Sequence, residues 1–419
     1  MKAQPLILSF IALLWIFSGF AFGQDEDKKL EWSGNLDSRY LLLQSNQNSP
    51  FYKMSFWKSG NLSKYLSQYR NDLYLNADYQ QENLGVHIKT LSTFYSDSAT
   101  SFSLLEAYGN VNISSSSFMQ IGKRIYSWGK GYAFNPVGYV NPLKNPENPN
   151  QLQQGIDSLS VEYVKSFTTG PLANFALTGI LIPATNTTGN HYAQIEDTDI
   201  ALKSYFLFFD TDIDLMGYLS RTNPKRIGLD FSRNIKENLE VHGELSYSWS
   251  IPKSVILENT LNTQSKDNHS WLLGLRYLNE QNTTLIAEYY HNGNGLTKDE
   301  FQTYRNFVSG AVSSGSDTAV RRASTYNKDY FNASVLMQDY IYFKASQPEP
   351  FGWLYFTPSL LAIYNVADGS ALISAPLSFS PVTNFELIFW STIMAGGSGT
   401  EFGSKQVQKK VEVWMRFYY

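Results

Sequence analysis

Three ionisable side chains at strand spacing stand out first. Glu240, His242 and Glu244 recur at every second position, so in an extended chain all three lie on one face. A carboxylate–imidazole–carboxylate row is the kind of group that ligates a divalent metal or moves a proton. Neither chemistry is complete here. The five histidines, His87, His191, His242, His269 and His291, are scattered, and no nucleophile stands beside His242. His291 leads into Asn292, Gly293, Asn294 and Gly295, which contains no serine and reads as a turn. No phosphate-cradling glycine loop or dinucleotide fingerprint occurs. With 0 cysteines there is no disulfide framework or thiolate metal site. No catalytic residue, metal or cofactor is assigned on this reading, and enzymatic activity is not expected.

The same alternation recurs along the chain and defines the elements that carry these charges. Leu73, Leu75, Ala77 and Tyr79 interleave with Arg70, Asp72, Tyr74, Asn76 and Asp78; Ile227, Leu229 and Phe231 interleave with Arg226, Gly228, Asp230 and Ser232. The final stretch, 411–419, sets Val411, Val413, Met415, Phe417 and Tyr419 against Glu412, Trp414, Arg416 and Tyr418. Period-2 patterns of this kind are strands with one apolar side. About eighteen such segments can be counted, or sixteen if 303–336 holds a helix and blurs one strand.

Composition narrows the class. Of 419 residues 15% are aromatic and 17% charged, against roughly 25% charged in soluble domains. Mean hydropathy is -0.28, and no stretch past the start approaches the roughly 20 apolar residues of a spanning helix. A formal net charge of -4 argues against nucleic acid as a partner. Residues 1–23 read as a secretory signal: Lys2, an apolar run over 6–20, and a small-residue site at Ala21, Phe22 and Gly23. The mature chain, 24–419, is then a single domain. Residues 25–29 form only a short charged lead, so no N-terminal plug is expected.

Loop lengths sort by end. If the first strand rises from the chain-terminal end, the connections at that end are nearly all a few residues, whereas 45–64, 129–155, 183–199, 251–268 and 293–327 fall at the other. Short turns on one side and long loops on the other, with an even strand count, predict an all-β fold: a transmembrane up-and-down antiparallel β-barrel. The last strand then pairs with the first, leaving no open edge in lipid.

In such a barrel the polar strand faces meet the lumen. The candidate pore-lining and constriction residues are Arg39, Arg70, Asp72, Glu106, Arg124, Trp128, Tyr132, Phe134, Arg226, Asp230, Glu240, Glu244 and Arg276. Acidic residues modestly outnumber basic ones on these faces, which predicts weak cation preference. The most individual stretch holds four Asn-Pro pairs, at Asn135-Pro136, Asn141-Pro142, Asn145-Pro146 and Asn148-Pro149. Proline donates no N–H and keeps the residue before it extended, so the segment is a stiff loop outside the strand ladder. Carrying Tyr132, Phe134 and Tyr139, it either folds into the lumen or packs over the rim.

Arg124, Tyr126, Trp128, Gly129, Lys130 and Gly131, leading to Phe134, Asn135 and Pro136, resemble a segment of large porin-like barrels of Gram-negative outer membranes, loosely related to alginate-export-type channels. Glu288 to Gly295 before a long loop, and Asp368, Gly369 and Ser370 at a late hairpin, fit the same impression. The aromatic ending resembles the signature by which the barrel-insertion machinery recognises its clients. The resemblance implies an outer-membrane location and a channel for small hydrophilic or anionic-saccharide-type solutes. An adhesin using the long loops and a hydrophobic-solute transporter are the alternatives. Assembly into a homotrimer stays open at this stage.

Overall fold

The computed structural model describes residues 29–59, 63–142, 144–151, 153–183 and 195–419. The expected signal, 1–23, lies outside the described residues. Strands follow one another from Lys29–Ser45 (β1), Tyr65–Gln81 (β2), Leu84–Tyr95 (β3), Ser101–Ser114 (β4), Ser117–Arg124 (β5) and Ile156–Ser166 (β6). Next come Leu172–Ile182 (β7), Asp199–Phe208 (β8), Thr211–Leu219 (β9), Arg226–Lys236 (β10), Leu239–Leu257 (β11) and Thr260–Leu278 (β12). The last six are Thr284–His291 (β13), Asp339–Ser346 (β14), Phe356–Asn365 (β15), Ala371–Val382 (β16), Phe385–Ala395 (β17) and Val407–Tyr418 (β18). Each is antiparallel to the next, and β1 also pairs with β18, so the 18-stranded sheet closes on itself.

The seam shows how the last residue is used. Gly34 N donates to Tyr419 O at 3.1 Å and Tyr419 N to Gly34 O at 3.2 Å. The Tyr419 ring crosses over Gly34, and its hydroxyl donates to the Tyr74 carbonyl on β2 at 2.7 Å. A Cβ at position 34 would stand 2.4 Å from that hydroxyl, so only glycine leaves room for the ring. Alternation holds on β18: Val413, Met415 and Phe417 are exposed on the outer face, while Glu412 and Trp414 are buried within.

At the end holding Lys29 and Tyr419, the connections 82–83, 115–116, 167–171, 209–210, 237–238, 279–283 and 383–384 span two to five residues. Only 347–355 is longer there. At the opposite end, 46–64, 125–155, 183–198, 292–338 and 396–406 are long. The expected loop at 251–268 is instead strand: β11 and β12 are 19 residues each and meet at Glu258 and Asn259, both with positive φ. Its polar composition hides an alternation that pairs Ser254 with Thr263, hydroxyl to hydroxyl at 2.8 Å, and turns Ile256 inward into an apolar cluster.

Three helices roof one sector of that end: Pro50–Ser55 (α1), Lys298–Ser313 (α2) and Asp317–Tyr330 (α3). The stretch suspected of helix therefore sits wholly within one connection and removes no strand. Each helix starts on a side-chain cap, Ser49, Thr297 and Ser316, and Thr297 with Glu300 completes a capping box. Their inner faces bury Phe51, Phe301, Tyr304 and Phe307. Tyr304 stacks on Phe331 at 4.1 Å between centroids. Buried Glu401, from 396–406, ties the roof to the barrel by accepting from Leu336 N at 2.6 Å, Tyr340 Oη at 2.7 Å and Asn365 Nδ2 at 2.7 Å.

Candidate functional site

The connection between β5 and β6, 125–155, does not stay at the rim. Its prolines keep it out of the sheet, and it satisfies its backbone in short turns such as Gly138 N to Asn135 O at 3.1 Å and Asn148 N to Asn145 O at 3.0 Å. Asn141 clips the start of the loop, accepting from Trp128 N at 3.0 Å and donating to Trp128 O at 2.7 Å.

Two wall carboxylates take up four more of its backbone N–H groups. Glu244 on β11 accepts from Gly131 N at 2.6 Å, Asn135 Nδ2 at 2.9 Å and Val137 N at 3.2 Å. Glu288 on β13 accepts from Tyr132 N and from Ala133 N at 3.0 Å. Lys130 pairs with Asp214 of β9 at 3.1 Å. Burial pulls its pKa down, but Asp214 and Asp230 more than reverse this, leaving it above the usual lysine range. Phe134 stacks on Tyr290 at 4.5 Å. Tyr139 donates to the Ile227 carbonyl at 2.5 Å, and burial pushes its hydroxyl up to about 12. Lys144 donates to Gly131 O at 2.7 Å, and burial lowers its pKa.

Further along, the loop reaches another part of the wall. Glu147 accepts from Thr392 Oγ1 of β17 at 2.7 Å and Lys410 Nζ of β18 at 2.8 Å. Every wall partner lies on the polar strand face, so the loop crosses the inside of the barrel from β9–β13 to β17–β18. Between it and the first two strands remains a gap of about 130 Å³, lined by Arg39, Arg70, Asn145, Asn148, Trp390 and Trp414 among others.

The charges of that gap are layered. Asp37 and Asp72 have no solvent exposure. Arg416 grips Asp37 through two nitrogens at 2.7 and 2.9 Å, and Arg39 donates to it at 2.7 Å. Arg70 donates to Asp72 at 2.8 Å, while Arg39 Nε lies 3.3 Å from Asp72, an ion pair without a hydrogen bond. The Arg39 guanidinium rests 3.8 Å over the Trp414 ring. Carboxylates therefore sit behind and guanidiniums in front.

The predicted residues fall into three groups. Trp128, Tyr132, Phe134, Arg226, Asp230, Glu240, Glu244 and Arg276 lie at or beside the loop's first anchorage. Arg276 Nη1 donates to Tyr132 Oη at 3.3 Å, and its guanidinium stands 3.8 Å from Glu240. Arg226 lies under the Tyr139 ring at 5.7 Å. Asp230, with no exposure, is flanked in register by Asp214 and Glu244, and neither of its oxygens has a hydrogen-bond partner. Arg39, Arg70 and Asp72 form the second group, across the gap. Glu106 and Arg124 sit at the loop's root, where Glu106 accepts from Ile125 N at 3.0 Å and Arg124 lies by Tyr126 at 5.1 Å.

His242, the centre of the acidic row, is fully buried; Glu288 is 3.1 Å from its Nε2 and the Tyr132 ring packs 5.4 Å away. It braces the loop anchor and leaves a substrate no access. His291 pairs with Asp339 at 2.8 Å beside the turn expected of it.

Lys144, Glu147, Trp390 and Lys410 were not singled out from sequence. Lys410 shares its strand face with Glu412 and Trp414, a signal that was readable. Glu147 lies inside the Asn-Pro stretch but marks a partner only once the loop's path is known.

No protein-family model matches the chain, and no curated protein matches it. Among solved structures, it is similar to a BenF-like porin from Pseudomonas fluorescens Pf-5, with a TM-score of 0.57, 8% identity, and 93% of this chain and 98% of that one covered. OccD3 (OpdP) of Pseudomonas aeruginosa follows at a TM-score of 0.47, 10% identity, and coverage of 93% and 91%. Salmonella typhi OmpF gives 0.44, 10%, and coverage of 95% and 99%. At such identities the first likeness speaks to fold, and the fold this chain shares is that of a closed porin barrel.

Proposed function

We propose that the protein is an outer-membrane channel whose 125–155 loop forms the constriction and whose solutes pass between that loop and the β1–β2 wall. The observation that carries this is the loop's attachment at both ends, to Glu244 and Glu288 on one side and to Lys410 and Thr392 on the other. A loop held at two places narrows a lumen without filling it. Barrels of this strand number otherwise enclose a wide aqueous passage. On this reading the end holding Lys29 and Tyr419 is periplasmic, the helical roof is extracellular, and the outer apolar face meets lipid.

The narrow part favours small hydrophilic anions. Although acids outnumber bases on the wall, Asp37 and Asp72 are buried behind arginines, and Glu244 and Glu288 are occupied by loop N–H groups. Lys410 is paired with both acids of the gap, Glu147 and Glu412, which leaves Arg39 and Arg70 as the charges a passing solute meets. The cation preference drawn from a simple count is thereby reversed in this proposal. The last strand is what the insertion machinery would read, and a homotrimer is the assembly to test by crosslinking in native membranes. Liposome swelling with graded sugars and organic anions tests the whole reading: small solutes enter faster than large ones if it holds, and sealed liposomes reject it.

A further inference from the structure

At the periplasmic end the 347–355 connection stands apart in length and character. It carries Phe351, Trp353, Leu354 and Tyr355, all exposed, with Phe351 free of any covering atom at 108% exposure. Three non-glycine residues hold left-handed backbone: Glu349 at φ 51°, Phe351 at 59° and Tyr355 at 61°. Such conformations are disfavoured for side-chain-bearing residues and persist only where surrounding contacts enforce them. Here Glu349 supplies one, accepting from Tyr355 N at 2.9 Å. Trp353 supplies another, stacking on Phe356 at 4.4 Å and meeting Phe379 edge-on at 5.9 Å.

Those two rings fix the direction of the loop. Phe356, half-buried, is on the same strand face as the exposed Leu360 and Tyr364, and half-buried Phe379 on the same face as the exposed Ile373, all on the barrel's outside. The loop therefore continues the outer face and does not close the lumen. Its one charge is the Glu349 carboxylate, exposed, with one oxygen accepting from Tyr355 N.

We propose that 347–355 is an interfacial lipid anchor: Trp353 joins the aromatic belt, and Phe351 and Leu354 enter the headgroup–acyl boundary of the periplasmic leaflet. Aromatic side chains favour that boundary, and apolar surface left in water there is unfavourable. Continuity with the lipid-facing row, and four exposed apolar or aromatic side chains against one carboxylate, select a lipid surface over a charged partner. This inference rests on the outer-membrane reading above.

The chain has 0 cysteines, so single labels are clean. Nitroxides are placed by Phe351→Cys, by Leu360→Cys on the outer face, and by Ser115→Cys in a two-residue turn at the same end. The proteins are reconstituted in vesicles of phosphatidylcholine and phosphatidylglycerol, and collision with oxygen is compared with collision with a water-soluble nickel complex. The label at 351 should behave like that at 360, favouring oxygen, while that at 115 favours nickel. A label at 351 that tracks 115 while 360 stays in lipid overturns the anchor alone. A water-exposed label at 360 overturns the membrane reading itself. Dipolar broadening at 351 places a second copy there and also overturns the anchor.

Discussion

Glu147 and Lys410 lie 2.8 Å apart, joining the tip region of a loop that starts after β5 to the last strand of the barrel. This pair spans 263 positions of sequence (410 minus 147). It converts a tethered loop into a bridge. Both side chains are largely buried, and Glu147 is also held by Thr392. Glu147→Gln should leave the barrel intact on heat-modifiability gels while raising open-channel current noise. Noise unchanged from the parent protein would show that the bridge does not hold the loop.

The first anchorage should be stronger than the second. Glu244→Ala removes a charged acceptor from three N–H donors, and hydrogen bonds to charged groups contribute about 1.5–3 kcal/mol each. Even one such loss corresponds to about a ten- to hundredfold shift in loop opening. Limited proteolysis of the folded barrel in detergent should therefore cut 125–155 far faster than in the parent. Equal cleavage rates would contradict the anchoring role.

The layered wall makes a prediction about charge. Arg70→Gln removes a guanidinium in front of Asp72 and leaves the carboxylate with Arg39 as its remaining cation and the Thr93 hydroxyl as a donor. A charge within ~4 Å of a permeating ion in a water-like medium is worth about 1 kcal/mol, roughly a fivefold change in relative permeability. Reversal potentials in a salt gradient should move toward cation selectivity. A shift toward anions would rule out this wall as the selective element.

The seam offers a stability test. Gly34→Val puts atoms where the Tyr419 ring and the Tyr74 carbonyl already are, and overpacking of this kind costs about 1–3 kcal/mol. Tyr419→Ala should relieve part of that cost. The measurement is the temperature at which the barrel converts from fast to slow migration on gels, lowest for Gly34→Val alone and partly restored in the double variant.

The helical roof should respond to acid. Burial raises the Glu300 pKa, but the Lys253 ammonium, 2.8 Å away, and the Thr297 N–H outweigh it, so the folded value lies below 4.5. A carboxylate lowered on folding stabilises the folded state above its unfolded pKa, and that contribution disappears as pH falls through the folded value. Amide protection in the first turn of α2, relative to the intrinsic exchange rate at each pH, should be unchanged from pH 7 to pH 5 and fall below about 4.5, near the ordinary glutamate value. Loss of protection already at pH 6 would assign the roof's acid response to another group.

Strand alternation was legible because each strand has one greasy and one polar face, as at 411–419. The eighteen-strand count followed from it, and the 303–336 helix ambiguity resolved in its favour. The arms at 251–268 were misread because Pro252 and a run of polar residues mimic a loop, whereas the β11–β12 pairing continues through them to Leu257 and Thr260. The candidate constriction was half legible. The Asn-Pro pairs showed that the segment could not be strand, but nothing local distinguishes a loop bound to Glu244 from one resting on a rim. That choice depends on contacts 107 to 113 residues away in the chain.

The central claim is that 125–155 narrows an open barrel. Single-channel recording of the parent and of a protein lacking 135–149 tests it most directly. The account predicts discrete conductance in the parent and a clearly larger conductance in the deletion, with the gel-shift behaviour of a folded barrel in both. Equal conductance in two folded proteins, or none in either, would contradict it.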